Sequence, residues 1–352
     1  MLKIHTISDV AKLAAVSKAT VSRYLNGTLA LPDTTAKRVN DAIEALNFRQ
    51  NSLARRLSLG RSETVGLAMP DVANPFFAKL ADEVEEAVRE RGYGLALCIT
   101  RNLIEREAYY LNWVDTRYLD GLILVSNHPD DGQLRKLIDR RSNIVLMDED
   151  VPGTKVPKVF VDNVGGGYQA TKRLLDAGHR RIAHVTGPKS LYTVGERLKG
   201  YRRALAEAGV AFDPMLVRYG TYERTFGREI TAELLAIDNP PTAVFAASDY
   251  LAIGVLESLR EGGRVVPDDI SLVGFDDMEF ASLLMPPITT IRQSASKMGQ
   301  AAVGALIDVL ASGSKDIGRQ SIKRLPVELI ERASVAPPKV ALLPAKHTKK
   351  SR

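Results

Sequence analysis

From Thr64 onward, short apolar runs recur between stretches of helical period, and this alternation constrains the fold more than any other feature. The first four are "TVGLAMP" at 64–70, "GLALCIT" at 94–100, "GLILVS" at 121–126 and "NIVLMD" at 143–148. Four more follow: "KVFVD" at 158–162, "RIAHVTG" at 181–187, "AVFAAS" at 243–248 and "SLVGFD" at 271–276. Each is continuously apolar rather than alternating, the pattern of strands buried on both faces. Segments between them, such as 76–91 and 194–208, carry helical period. A βα repeat predicts an α/β fold with doubly wound parallel sheets. About 270 residues is long for one such sheet, so two similar lobes with a cleft between them are expected.

The chain ahead of Thr64 reads differently, as three short helices. Thr6 is placed to cap the first, and Asp9 lies in its first turn, where an acid complements the helix dipole. Ile7, Val10, Ala11 and Ala14 form one apolar face. Ser17 can cap a second helix, whose Val21, Tyr24 and Leu25 face inward and which stops at "NGT". Pro32 and Asp33 start a third, with Val39, Ala42, Ile43 and Leu46 on its apolar side. This is a helix-turn-helix layout. Residues 49–61, "RQNSLARRLSLGR", read as a short basic helix in a linker.

Charge separates these parts. Residues 1–62 hold ten Lys/Arg against four Asp/Glu, a net +6, and residues 339–352 add five cations and no acid. The whole chain is +6, so residues 63–338 carry −5. A basic head on an acidic body suits a polyanion at the head alone. The tail from Ala336 is Pro- and Lys-rich and reads as disordered. No run of 18 apolar residues could span a bilayer, and the N-terminus lacks the pattern of a secretory signal. Cys98 is the only cysteine and lies in an apolar run, so packing in a reducing cytoplasm is expected.

Catalytic signatures are missing: no P-loop, no G-x-S-x-G elbow, no H-E-x-x-H. The five histidines, His5, His128, His179, His184 and His347, show no metal-ligand spacing. No cofactor is expected. "VDNVGGGYQA" at 161–170 reads as a tight βα turn. Ligands of open α/β sheets bind beyond the carboxyl ends of strands. There stand Asn74, Phe76, Phe77, Asp148, Asp162, Ser248 with Asp249, and Asp276, joined by Arg197 and Tyr222. Rings that cover an apolar sugar face and charged groups that bind hydroxyls fit a polyhydroxylated ligand. Asp162 and Asp249 are equally explained as helix caps.

The motifs in order resemble the LacI/GalR (lactose-repressor) family of bacterial transcription regulators. In the head, "ISDVAKLAAVSKATVSRYLNG" carries the resemblance, and in the linker "NSLARRL". In the body it rests on "NPFF", "DGLIL", "GHRRIAHVTG", "RLKGYRRAL", "PTAVFAASDYLAIGVL", "VPDDISLVGFDD" and "PPITTIRQ". It spans about residues 6–335. It implies an all-α helix-turn-helix head on a periplasmic-binding-protein-like body of two parallel-sheet lobes. It also implies a homodimer on a pseudo-palindromic operator of double-stranded DNA, controlled allosterically by a small effector. The chain is then a cytoplasmic, nucleoid-associated repressor and not an enzyme.

On that resemblance the head is 1–48 and the hinge 49–61. The N-terminal lobe is 62–161 with 294–325, the C-terminal lobe 162–293 with 326–337, and the basic tail 338–352. Crossovers are expected near Asp162, Ile291 to Gln293, and Pro326. In a helix-turn-helix the second helix meets base edges by its N-terminal residues, here Lys18 and Ala19, with Arg23 a turn on. Ser17, Thr20, Ser22 and Asn26 suit phosphates, and the resemblance adds Thr6. It implies that Asn51, Ala54, Arg55 and Leu57 contact the minor groove, Leu57 as a wedge at the central base step. For the effector it carries over Asn74, Phe76, Phe77, Asp148, Arg197, Tyr222, Asp276 and Gln293, with Ser248 where sugar-binding relatives often have Asn. Leu191 stands near an arginine of purine-responsive members, which favours a sugar. The alternative, a sugar kinase with a fused DNA-binding head, would require a phosphate-cradling glycine loop.

Overall fold

The structure is a computed structural model and describes residues 5–49, 60–127, 132–312 and 321–339. It divides into a head, residues 1–63, and a body, residues 64–352.

The head holds helices α1 (Ile7–Leu13), α2 (Lys18–Leu25) and α3 (Asp33–Ala45). Asp9 Oδ2 accepts from the Thr6 backbone N–H and hydroxyl, both at 2.8 Å, and so closes the first turn. Ser17 Oγ accepts from Thr20 N at 3.0 Å and starts α2. Pro32 is the residue before α3 rather than its first, a shift of one position. Val10, Ala11, Ala14, Val21, Val39 and Ala42 form the core, with Tyr24, Leu25, Ile43 and Leu46 packed on it. Asn40 Nδ2 donates to Tyr24 Oη at 3.2 Å and ties α3 to α2. The expected helix within 49–61 lies mostly outside the described residues.

The body has two six-stranded sheets. Lobe 1 holds β1 (Thr64–Met69), β2 (Gly94–Ile99), β3 (Gly121–Leu124), β4 (Ile144–Met147), β5 (Lys158–Val161) and β11 (Ile322–Leu325), in the order β11-β5-β4-β3-β1-β2. Lobe 2 holds β6 (Ile182–Thr186), β7 (Val217–Tyr219), β8 (Ala243–Ala246), β9 (Ser271–Asp276), β10 (Thr289–Arg292) and β12 (Glu328–Ile330), in the order β12-β10-β9-β8-β6-β7. Pairing is parallel except between β10 and β12. Helices cover both faces of each sheet. On lobe 1, α4 (Pro75–Arg89) and α11 (Ala295–Ser312) share one core with the strands, and α5 (Ile104–Asp115) and α6 (Gln133–Asp139) another. Cys98 is buried in the second, which pushes its thiol up to about 12. On lobe 2, α7 (Asn163–Asp176) and α8 (Tyr192–Glu207) line one face, and α9 (Arg224–Leu235) and α10 (Asp249–Glu261) the other. Burial on both faces is why the strands are continuously apolar. No described helix is long and apolar enough to cross a membrane.

The chain passes between the sheets three times: from β5 into α7, from β10 into α11, and from β11 to β12. The glycines of 165–167 were expected in a turn, but they lie inside α7. Their role is close packing. A Cβ on Gly167 would sit 2.2 Å from Arg197 O, and one on Gly200 would sit 2.1 Å from Val164 O. Backbone therefore meets backbone where α7 and α8 touch, and the height of Arg197 on the lobe is set there. The tail also departs from expectation at its start. Ala336 O accepts from the His179 and Ser271 side chains, and Lys339 Nζ pairs with Asp269 at 2.7 Å, so residues 336–339 lie on lobe 2.

Candidate ligand pocket and nucleic-acid interface

Between the lobes lies a small, largely filled pocket with about 40 Å³ of free space. Asn74, Phe76, Phe77, Asp148, Arg197, Tyr222, Ser248, Asp276 and Gln293 all line it. Asn127, Glu149 and Thr193 complete the wall and were not read from the sequence. Two of these had a signal. Glu149 follows Asp148 at a strand end, and Thr193 sits one turn before Arg197 on the same helix face.

Lobe 1 supplies the aromatic wall. Phe76 and Phe77 open α4, their rings 5.5 Å apart and tilted by 55°. Asn74 caps that helix, its Oδ1 accepting from Phe76 N at 3.0 Å. Asp148 follows β4 with φ of +69°, a left-handed conformation unusual for a residue with a side chain. Asp276, at the end of β9 in lobe 2, has φ of +113°. Such backbones cost on the order of 1–3 kcal/mol each and gather at functional sites. Here both turns carry pocket carboxylates.

Arg197 is the only cation among the described lining residues and is buried. Its guanidinium carbon lies 3.7 Å from the Phe275 ring centroid. Nε donates to Asn163 Oδ1 at 2.8 Å, and Nη1 donates to Ala247 O at 2.6 Å. Ser248 caps α10, its Oγ accepting from Leu251 N at 3.1 Å. Gln293 Nε2 donates to Asp276 Oδ1 at 2.6 Å across the second crossing.

Burial dominates the electrostatics. It raises Asp148 to about 6 against the pull of Arg197. It raises Glu149 to about 8, with the charge of Asp148 adding to it. It also lifts Asp276 well above the carboxylate range, again against Arg197. Asn127 Oδ1, Asp148 Oδ1, Tyr222 Oη and Gln293 Oε1 are buried without a hydrogen-bond partner among the described residues. Buried polar atoms are ordinarily satisfied, so these four are available to a bound molecule. Three carboxyl groups face one guanidinium, and burial favours their neutral form, so the wall can both accept and donate hydrogen bonds. The pocket adjoins a wider, open groove of about 750 Å³, with which it shares Phe76, Asp276 and Gln293.

Asp162 and Asp249 do not line the pocket. Asp162 caps α7, accepting from Gly165 N at 2.8 Å. Asp249 Oδ1 and Oδ2 accept from Thr290 Oγ1 at 2.7 Å and Met278 N at 2.8 Å, a buried brace.

In the head, Lys18, Ala19 and Arg23 are exposed on α2, whereas Val21 is buried. Ser17 is exposed, and Thr20, Ser22 and Asn26 are half-buried. Ser17 Oγ and Thr20 Oγ1 are 2.8 Å apart and share one proton, which leaves the other free to donate. The Thr6 hydroxyl is committed to Asp9. Asn51, Ala54, Arg55 and Leu57 lie outside the described residues.

Two family models match parts of the chain. The model of bacterial regulatory proteins of the lacI family matches residues 6–51, and that of the periplasmic binding protein-like domain matches 171–335. The chain is 34% identical over 334 residues to the HTH-type transcriptional repressor PurR of Aliivibrio fischeri (strain MJ11), covering 94% of this chain and 98% of that protein. Among solved structures it resembles the lac repressor dimer bound to operator and the anti-inducer ONPF. The TM-score is 0.83 at 26% identity, covering 95% of this chain and 100% of that one. It also resembles the transcriptional regulator CelR in complex with cellobiose, with a TM-score of 0.71 at 34% identity over 94% and 99%.

Proposed function

The chain belongs to the LacI family of bacterial regulatory proteins and is a DNA-binding transcriptional repressor, not an enzyme; from that premise we propose that a neutral, polyhydroxylated molecule of sugar size sets its operator affinity. One observation carries this reading. Unpartnered buried polar atoms surround a single arginine, held over the Phe275 ring, in a pocket that also holds three buried carboxyl groups. Sugar hydroxyls donate to such atoms or accept from them, and the Phe76 and Phe77 rings cover an apolar sugar face. A phosphorylated or acidic ligand would find one guanidinium to balance it among the described lining residues. The competing occupant is a purine base. Against it, Leu191 is buried and not among the lining residues, so Arg197 is the one cation among the described lining residues.

In this reading Lys18, Ala19 and Arg23 read base edges. Ser17, Thr20, Ser22 and Asn26 hold phosphates, with the backbone around Thr6 beside them. Asn51, Ala54, Arg55 and Leu57 act in the minor groove, Leu57 as the wedge. Two heads of a homodimer bind a pseudo-palindromic operator on cytoplasmic, nucleoid DNA. Ligand-driven movement of the lobes alters the hinges.

The test is calorimetric titration of the full chain with neutral mono- and disaccharides, sugar phosphates, and hypoxanthine and guanine. A neutral sugar should bind and change operator affinity. Binding confined to the purines or to the phosphorylated sugars would overturn the proposed ligand class.

A further inference from the structure

Helix α8 carries Arg197, yet its own N-cap residue is Leu191, which has no side-chain acceptor and makes no capping bond. The four leading N–H groups of a helix need partners, and a leucine cap leaves them wanting. The missing acceptor comes from the other lobe. Glu149, two residues past β4 of lobe 1, accepts from Thr193 N at 3.3 Å through Oε2 and from the Thr193 hydroxyl through Oε1. Glu149 and Thr193 are both buried. The same turn docks on lobe 1 a second time. The Tyr192 ring lies 4.9 Å from that of Phe160 in β5.

We propose that Glu149 is a positioning residue that caps α8 across the cleft, so that lobe closure and the ordering of the helix bearing Arg197 are one event. Separation of the lobes removes the cap from α8 as well as the Tyr192 contact, and Arg197 sits one turn beyond. The ligand then meets a formed clamp only in the closed body. The inference rests on the proposed pocket only in taking closure as the ligand-bound state.

Hydrogen exchange of the full-length protein without any added ligand tests it, so the outcome is independent of which ligand binds. Glu149→Leu should speed exchange across residues 191–197 about tenfold while residues 163–176 of α7 keep their protection. Glu149→Gln, which keeps an acceptor, should restore most of it. Combining Glu149→Leu with Thr193→Val should add little to Glu149→Leu alone, since both remove one interaction. Unchanged exchange at 191–197 in Glu149→Leu, a uniform rise over both lobes, or a glutamine variant no better than leucine would each overturn the cap. If Glu149→Leu does not fold, Thr193→Val is measured in the same way. Faster exchange in its first turn supports the cap, and wild-type exchange there refutes it.

Discussion

The guanidinium carbon of Arg197 lies over the Phe275 ring, 3.7 Å from its centroid. Asn163 from α7 and the carbonyl of Ala247 past β8 hold two of its donors, so three separate segments fix one side chain. Lysine cannot stack or fork in this way. Arg197→Lys should therefore weaken ligand binding about 10- to 100-fold, the worth of one or two charged hydrogen bonds. Operator binding without ligand should persist. Calorimetry and a DNA titration measure both, and an undiminished ligand response would remove the clamp.

The glycine contact under Arg197 makes a separate prediction. Gly200→Ala places a methyl 2.1 Å from Val164 O, backbone that cannot swing aside. The helices must part, at a cost of about 1–3 kcal/mol. Urea unfolding should show a lower midpoint, and ligand affinity should fall with it, because Arg197 rides on the displaced helix. A Gly200→Ala protein as stable as the parent would mean that α7 and α8 have slack.

How much of this was legible in sequence follows from the physics of each element. Eight strands were readable as apolar runs, seven of them because both faces are buried, while β2 is a partly exposed edge strand; β7 and β10, only three and four residues long, were missed. β11 ("IKRL") and β12 ("ELI") were missed too, being exposed pieces at sheet edges that owe their form to pairing with β5 and β10. The glycines of α7 resembled a turn, since their real cause, the backbone of α8, lies some thirty residues away. Seven of the nine expected pocket residues sit at strand ends or helix starts, where topology gathers ligand contacts, whereas Arg197 lies in the second turn of α8 and Tyr222 in the loop after β7. Glu149 escaped notice because its partner is on the other lobe, and no local period records that.

The pocket acids predict a pH dependence. Burial holds Glu149 near 8, above its ordinary 4.5, with Asp148 adding to the effect. A carboxyl raised on folding keeps its proton where the unfolded chain has lost it. Its stabilising contribution is complete below about 4.5 and is lost as pH rises through about 8. Ligand-free protein should therefore lose stability between about pH 5 and pH 8, and Glu149→Gln should flatten that slope. Denaturation midpoints across the range measure this, and an equal slope in the variant would contradict it.

At the head, Lys18→Ala should cost about 1–3 kcal/mol of operator affinity and relax the sequence preference at one base pair of each half-site. A loss that is equal on all DNA sequences would reassign Lys18 to the phosphates. The intact protein should show a steep fall in affinity with salt.

The three passages of the chain between lobes also order its birth. Every contact of the head's core is in hand once residue 48 has been made. Sheet order in lobe 1 waits for α11 and β11, which are translated after most of lobe 2. At roughly 5–20 residues per second, tens of seconds separate the two events. Each new chain can present a finished reading head to the chromosome while its controlling body is still being threaded together.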